Sequence, residues 1–334
     1  MLFGLRKPRE LIVVVITLLS YGCPLQAIVQ AYGLDERTVA NWRDRAGQQC
    51  QRVHQAVIEE AGLDLVHVQA DEIRVKGRQM IAWMGLAMMV STRLWLGGVV
   101  SLTRDHQLAN RLLGGVHRCA KAMRPLLICT DGWAAYPKSI RLAFREKVKC
   151  TAGRGRTTLL GWPEVLIGTV IKHTRTHHLI SISRQMTQGA LSSAEALLAQ
   201  SHGGSLLNTA FIERLNATFR QRTAALTRRT RHAAHHLSVL TTGMYLIGCV
   251  YNFCSVHDEL SSSKHLGVPT TPAMAAGLTD HLWSLRELLM YRVAPQPYSE
   301  RAWAKLERER LIALGQMKRQ GRPPKRSSLS QEVP

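Results

Sequence analysis

Acidic residues are scarce in this chain: 23 Asp and Glu stand against 44 Lys and Arg in 334 residues, a net charge of +21. A solvated surface accepts charge of either sign, so only a polyanionic partner accounts for such an imbalance. Patterned cysteine is missing too. The 7 cysteines, Cys23, Cys50, Cys119, Cys129, Cys150, Cys249 and Cys254, are odd in number, scattered and free of any C-x-x-C pair. That argues against a disulfide framework and a zinc site, and it fits a reducing cytoplasm. No apolar run approaches the ~20 residues that span a bilayer. Residues 11–19, apolar except for Thr17 and preceded by Arg6, Lys7 and Arg9, imitate a signal-peptide core. Glu10 abuts that run, however, and no small-x-small cleavage site follows it. No internal repeat is visible.

What is present is an ordinary apolar fraction, 46%, over a length that allows one large core and small appendages. Residues 8–20, 24–32 and 36–46 predict three short helices. Pro8 suits a helix start, Gly33-Leu34-Asp35 makes a tight turn, and Asp35 can cap the third helix. Ile28, Tyr32, Leu34, Val39 and Trp42 have the spacing that packs two helices across such a turn, the helix-turn-helix pattern. The third helix would then offer Arg37, Thr38, Asn41 and Arg43 to the major groove, where Arg reads guanine and Asn reads adenine. A plain three-helix bundle capping the next domain is the alternative, and the positive charge favours DNA. We therefore expect a DNA-binding domain at 1–50 and a linker at 51–62.

From residue 63 the pattern turns to strands at 65–75, 79–89 and 94–102, a helix at 106–123, strands at 125–129, 147–151 and 165–173, and then helices from 192 to 251. Three consecutive strands followed by alternating helix and strand predict an α/β fold, a mixed sheet flanked by helices, over 63–260. Residues 261–298 form an extension around a helix at 280–290. The basic tail, 299–334, is expected to be disordered.

Direct transfer of a phosphoryl group between DNA strands leaves the protein to hold two divalent ions about 4 Å apart. Mg²⁺ prefers carboxylate oxygens for that purpose. Three places in the chain suit the task. Asp71 lies inside an apolar strand, where an acid is costly unless it binds something. Its neighbour Glu72 is an equal candidate, because both faces of a central strand are buried. Asp131 ends the apolar run Leu126–Cys129, although Asp-Gly is also an ordinary turn dipeptide. Glu213 sits in a helix expected at 208–228, whose buried stripe is Ile212, Leu215, Phe219 and Leu226. Glu213, Asn216 and Arg220 share the adjoining face, Arg214 and Arg222 flank it, and Glu213 is the only acid between Glu195 and Asp258.

Ala70-Asp71-Glu72, Thr130-Asp131-Gly132-Trp133-Ala134-Ala135-Tyr136, and Asn208-x-x-x-Ile212-Glu213-Arg214-Leu215-Asn216-x-x-x-Arg220 resemble the motifs of the DDE-type transposases of bacterial insertion sequences. Tyr251-Asn252-Phe253-Cys254-x-x-His257 resembles the helix end that follows the Glu helix in that family. The resemblance covers about residues 63–290. It implies a ribonuclease-H-like, integrase-type core and makes Asp71, Asp131 and Glu213 the catalytic acids, with Glu72 a neighbour. It also implies two Mg²⁺ or Mn²⁺ ions as cofactors and DNA as partner, both the element's terminal repeats and the target. At least a dimer would form in the synaptic complex, in the bacterial nucleoid of the cytoplasm and without a membrane. Arg214, Arg220 and Arg222 would grip phosphates, and Asn216 would orient the Glu helix or touch DNA. Ser255-Val256 replaces the family's Arg-Pro, and the zinc finger that many relatives carry ahead of the helix-turn-helix is missing, which suggests a form shortened at that end. Two other functions share these features: a non-catalytic helix-turn-helix protein, such as a repressor or decayed transposase, and a ribonuclease-H-type nuclease.

Overall fold

The computed structural model describes residues 4–77, 80–148, 158–176, 178–226, 236–262 and 267–293. The chain opens with three helices, α1 (Arg9–Ser20), α2 (Leu25–Tyr32) and α3 (Glu36–His54). Gly33 closes α2 with φ 58°, a left-handed conformation that costs glycine little. Asp35 then caps α3, accepting from the Thr38 backbone N–H at 3.0 Å. Ile28, Leu34, Val39 and Trp42 are buried in one cluster with Ile12, Val15 and Ile16 of α1, while Tyr32 stays exposed. α3 runs well past residue 46, and a π-helical turn, Gln55–Glu59, prolongs it. The segment expected as a linker is thus helical through Glu59, because Cys50, Val53 and Ile58 continue the buried stripe into the main core.

The sheet begins with an antiparallel meander, β1 (Val66–Lys76), β2 (Ile81–Met89) and β3 (Trp95–Ser101). Helix α4 (His106–Cys119) leads to β4 (Leu126–Asp131), which lies parallel to β1. After α5 (Ala135–Ala143), β5 (Arg145–Val148) and β6 (Thr158–Gly161) form a separate ribbon. β7 (Val165–Arg175) then pairs parallel to β4, and β8 (His178–Gln188) runs antiparallel along β7. The six-stranded order is β3-β2-β1-β4-β7-β8. Helices α6 (Leu191–Gln200), α7 (Ala210–Arg222) and α8 (Leu237–Cys249) complete the core. This is the expected mixed sheet flanked by helices, with ribonuclease-H-like strand order.

Neighbouring residues fix which helix covers which face. A Cβ on Gly85 would meet Leu112 of α4, whereas one on Gly98, opposite Leu86, would meet Met244 of α8. Glu72 pairs with Gly85 and Asp71 with Leu86, so the two acids face α4 and α8 sides respectively. α3 approaches α8 so closely that a Cβ on Gly47 would lie 2.3 Å from the Thr242 carbonyl oxygen. The Asn252 side chain pairs with the Trp95 backbone in both directions, accepting its N–H at 2.9 Å and donating to its carbonyl at 2.8 Å.

Several elements depart from expectation. β6 and β8 were not anticipated; β8 is exposed along most of its length, so it carries little of the apolar alternation that marks a strand. α7 ends at Arg222, and Leu226 is buried from a short turn, Ala224–Leu226, instead of from the helix. The last helix is shorter than 280–290: Ser284 caps Leu285–Met290. One apolar helical stretch, Leu237–Ser261, is long and apolar enough to cross a membrane by length and composition, but 72% of its 18-residue apolar window is buried inside the fold, as a core helix is. The tail at 299–334 lies outside the described residues.

Candidate active site

Polar residues of β1 seat the site. Gln69, fully buried, accepts the backbone N–H groups of Phe211 and Ile212 at 3.1 and 3.0 Å and donates to the Asn208 carbonyl at 2.8 Å. It thereby satisfies donors that the start of a helix leaves open, and fixes α7 over the strand. Two residues on, on the same face, Asp71 Oδ2 accepts from Asn216 Nδ2 at 2.8 Å. Asn216 lies one turn beyond Glu213, so one helix both carries the third acid and holds the first. The β1–β4 ladder stops at Ala70 and Thr130, leaving Asp71 and Asp131 side by side where the two strands part.

Asp131 combines both expected roles. It ends β4, and its Oδ1 also accepts the Trp133 N–H at 3.0 Å across the Asp-Gly turn. Glu72 points to the opposite face, where the Tyr136 hydroxyl donates to it at 2.8 Å and Arg104 forms an ion pair with it. The Arg104 guanidinium also reaches Asp131 Oδ2 at 3.5 Å and stacks 4.6 Å from the Trp133 ring centre. Glu213 accepts from Thr209 Oγ1 at 2.6 Å and pairs with Lys172 of β7. Asp71, Asp131 and Glu213 all line one open cleft of about 560 Å³, together with Arg104, Lys172 and Thr209.

Carboxylate oxygens of Asp71, Glu72 and Asp131 lie within 4.8 Å of one another. Burial and the charge of Glu72, reinforced by Asp131 and Glu213, push the Asp71 carboxyl up to about 7. Burial and Asp131 also raise Glu72, against the pull of Tyr136 and Arg104. Asp71 therefore meets repulsion from three acids against two neutral donors, the Asn216 amide and the Glu72 backbone N–H, and a cation would relieve it. The clustered ligand atoms are hard oxygens, the donor set of Mg²⁺ or Mn²⁺, so these residues fit such ions; the cluster includes Glu72, expected only as a neighbour, while Glu213 lines the same cleft outside it.

The residues expected to touch DNA separate into two groups. Arg37, Asn41 and Arg214 are exposed, and Arg220 is half-buried. Thr38 is half-buried with its hydroxyl turned to Asp35, and Arg43 pairs with Asp44 at 3.0 Å. Asn216 is buried against Asp71, so of its two expected roles the orienting one matches its placement and DNA contact does not. Arg222 also departs from expectation. Its guanidinium stacks 4.5 Å from the Tyr21 ring centre and donates to Ser255 Oγ at 3.4 Å, because the end of α7 runs beneath the turn after α1. Gln69, Arg104 and Lys172 were not singled out from the sequence, and Tyr136 stood there only as the end of a motif, without a role. Gln69 could have been, as a polar residue in an apolar strand with the parity of Asp71; the distant cations carry no such signal.

No family model matches the chain, and no curated protein matches it. Among solved structures it is similar to a chain of the simian T-cell lymphotropic virus intasome in complex with PP2A regulatory subunit B56 gamma. The identity is 12% and the TM-score 0.28, over 86% of this chain and 78% of that one.

Proposed function

We propose that the chain is a DDE-type DNA transposase, cutting DNA at the ends of an insertion sequence and joining them to target DNA. The observation that carries this reading is the meeting of Asp71, Asp131 and Glu213 on one cleft, with Asn216 of the Glu213 helix bonded to Asp71. These three acids, from two adjacent strand ends and one helix, would hold two Mg²⁺ or Mn²⁺ ions. When bound, such ions activate the attacking hydroxyl and stabilise the leaving oxygen in an in-line displacement. Asn216 keeps Asp71 oriented, and Gln69 keeps α7 in register with β1. Arg214, exposed beside Glu213, would steady the DNA backbone, while Arg37 and Asn41 on α3 would read the terminal repeats. Joining two ends at once calls for at least two copies of the chain.

One observation favours a non-catalytic DNA-binding protein instead: Arg104 and Lys172, the chain's own cations, already occupy the acids. A strand-transfer assay with Mg²⁺ and DNA carrying the element ends separates the two. Glu213→Gln should abolish joining while end binding persists in a gel shift. Full joining by that variant would overturn the assignment.

A further inference from the structure

A second pocket lies on the flank of α7 away from the acids. It encloses about 390 Å³ between α7, the β2–β3 turn and the segment after α8. Arg93, at the tip of that turn, is only 7% exposed and adopts φ 59°. A non-glycine residue holds that conformation only where its surroundings dictate it. Here the Tyr251 hydroxyl donates to the Arg93 carbonyl at 3.1 Å, and the guanidinium lies 4.1 Å from the Phe211 ring centre. The result is a guanidinium fixed in the wall of a cavity, not one swinging in solvent.

The charges around it do not balance. Arg93 and Arg214 both line the pocket and oppose each other's charge, and Glu259 is the only acid in its wall. His257 lines it as well, with its Nδ1 buried and without a hydrogen-bond partner. Two guanidinium groups, one of them immobilised, beside the His257 ring make a receptor for a tetrahedral oxyanion. We infer that this pocket is a phosphate-binding site, separate from the acid cleft, that takes a phosphate group either from a DNA strand or as free phosphate. Tyr251 and Phe211 position Arg93 for it, and Arg214 closes the mouth. The site does not depend on the acids being catalytic, so a joining-deficient Asp71→Asn protein retains it.

Two measurements on the full-length protein test the inference. Anisotropy of a fluorescent DNA duplex is followed against salt for wild type and Arg214→Gln. Each lost phosphate contact lowers the log–log salt slope by about one and weakens binding about tenfold near 0.1 M salt. In parallel, the His257 ring resonances, assigned through His257→Gln, are titrated with inorganic phosphate in wild type and in Arg93→Lys. Saturable shifts with phosphate, weakened severalfold by Arg93→Lys, support the site. A reduced DNA slope then identifies the strand as its source, and an unchanged slope identifies free phosphate. If the His257 signals ignore phosphate, the inference fails whatever Arg214→Gln does to the slope, because Arg214 also steadies DNA beside Glu213 in the proposed function. A circular-dichroism melt of Arg93→Lys confirms that the variant is folded while the titration is read.

Discussion

Asp71 and Glu72 are consecutive, yet the sheet divides them into different environments. On the α7 face, Asp71 receives only neutral hydrogen bonds, from the Asn216 amide and the Glu72 backbone N–H, and is opposed by three acids. On the α4–α5 face, Glu72 is buried with an arginine and a tyrosine bound to it. One carboxylate is paired with a cation of the protein and the other is not. A buried acid that is satisfied fixes structure, and one left unsatisfied stores repulsion that a proton or a cation relieves. Under the proposed function the Asp71 face would be the working side of the sheet and the Glu72 face its brace.

The largest effect should come from Asp71→Asn, which removes the unsatisfied charge. Joining activity should fall at least about a thousandfold, roughly 4 kcal/mol at the transition state. Stability should move the other way. Burial raises the Asp71 carboxyl to about 7 from its ordinary value near 4, so the folded state binds a proton that the unfolded state has lost. With EDTA present, wild type should therefore lose stability as pH rises from about 4 to about 7, and the variant should lack that loss. Melting both proteins across this range checks the sign. Mg²⁺ should restore wild type at the upper end and leave the variant unmoved. A wild-type melt that climbs steadily through the window would break the contrast between the faces.

Glu72→Gln probes the brace. Arg104 is about one-third exposed, so breaking the pair costs less than a fully buried ion pair would, about 2 kcal/mol. A fall in Tm of several degrees, with joining activity kept within about tenfold, is the expected outcome. Complete loss of joining at an unchanged Tm would exchange the roles of the two acids.

The sequence displayed the two faces unevenly. Strand parity places Asp71 with Gln69 and Glu72 with Ala70, but it cannot say which side α7 covers, because both faces are buried. Glu213 and Asn216 were legible at helical spacing, since that relation is local. The partners of Glu72 were not, because Arg104 comes from the β3–α4 loop and Tyr136 from α5, and such contacts leave no period in the chain. β8 escaped notice because an exposed edge strand has little apolar alternation to display. The continuation of α3 was hidden by its composition: residues 44–54 read as polar, and only Ala46, Cys50 and Val53 mark the apolar side of the buried stripe.

The smallest effect should come from Asn216→Ala, which alters only the one hydrogen bond that Asp71 receives from α7. Loss of a bond to a carboxylate, with a small void left behind, costs about 1–2 kcal/mol of stability. Its more telling consequence concerns the metal. The Asn216 amide favours the charged form of Asp71, so without it the acid holds its proton more tightly and competes less well for a cation. Joining should then require about tenfold more Mn²⁺, with DNA-end binding unchanged. Raising the pH should recover part of the loss, because deprotonation is what the missing amide assisted. A purely structural asparagine would lower Tm without moving the Mn²⁺ requirement, and that result would detach α7 from the chemistry of Asp71.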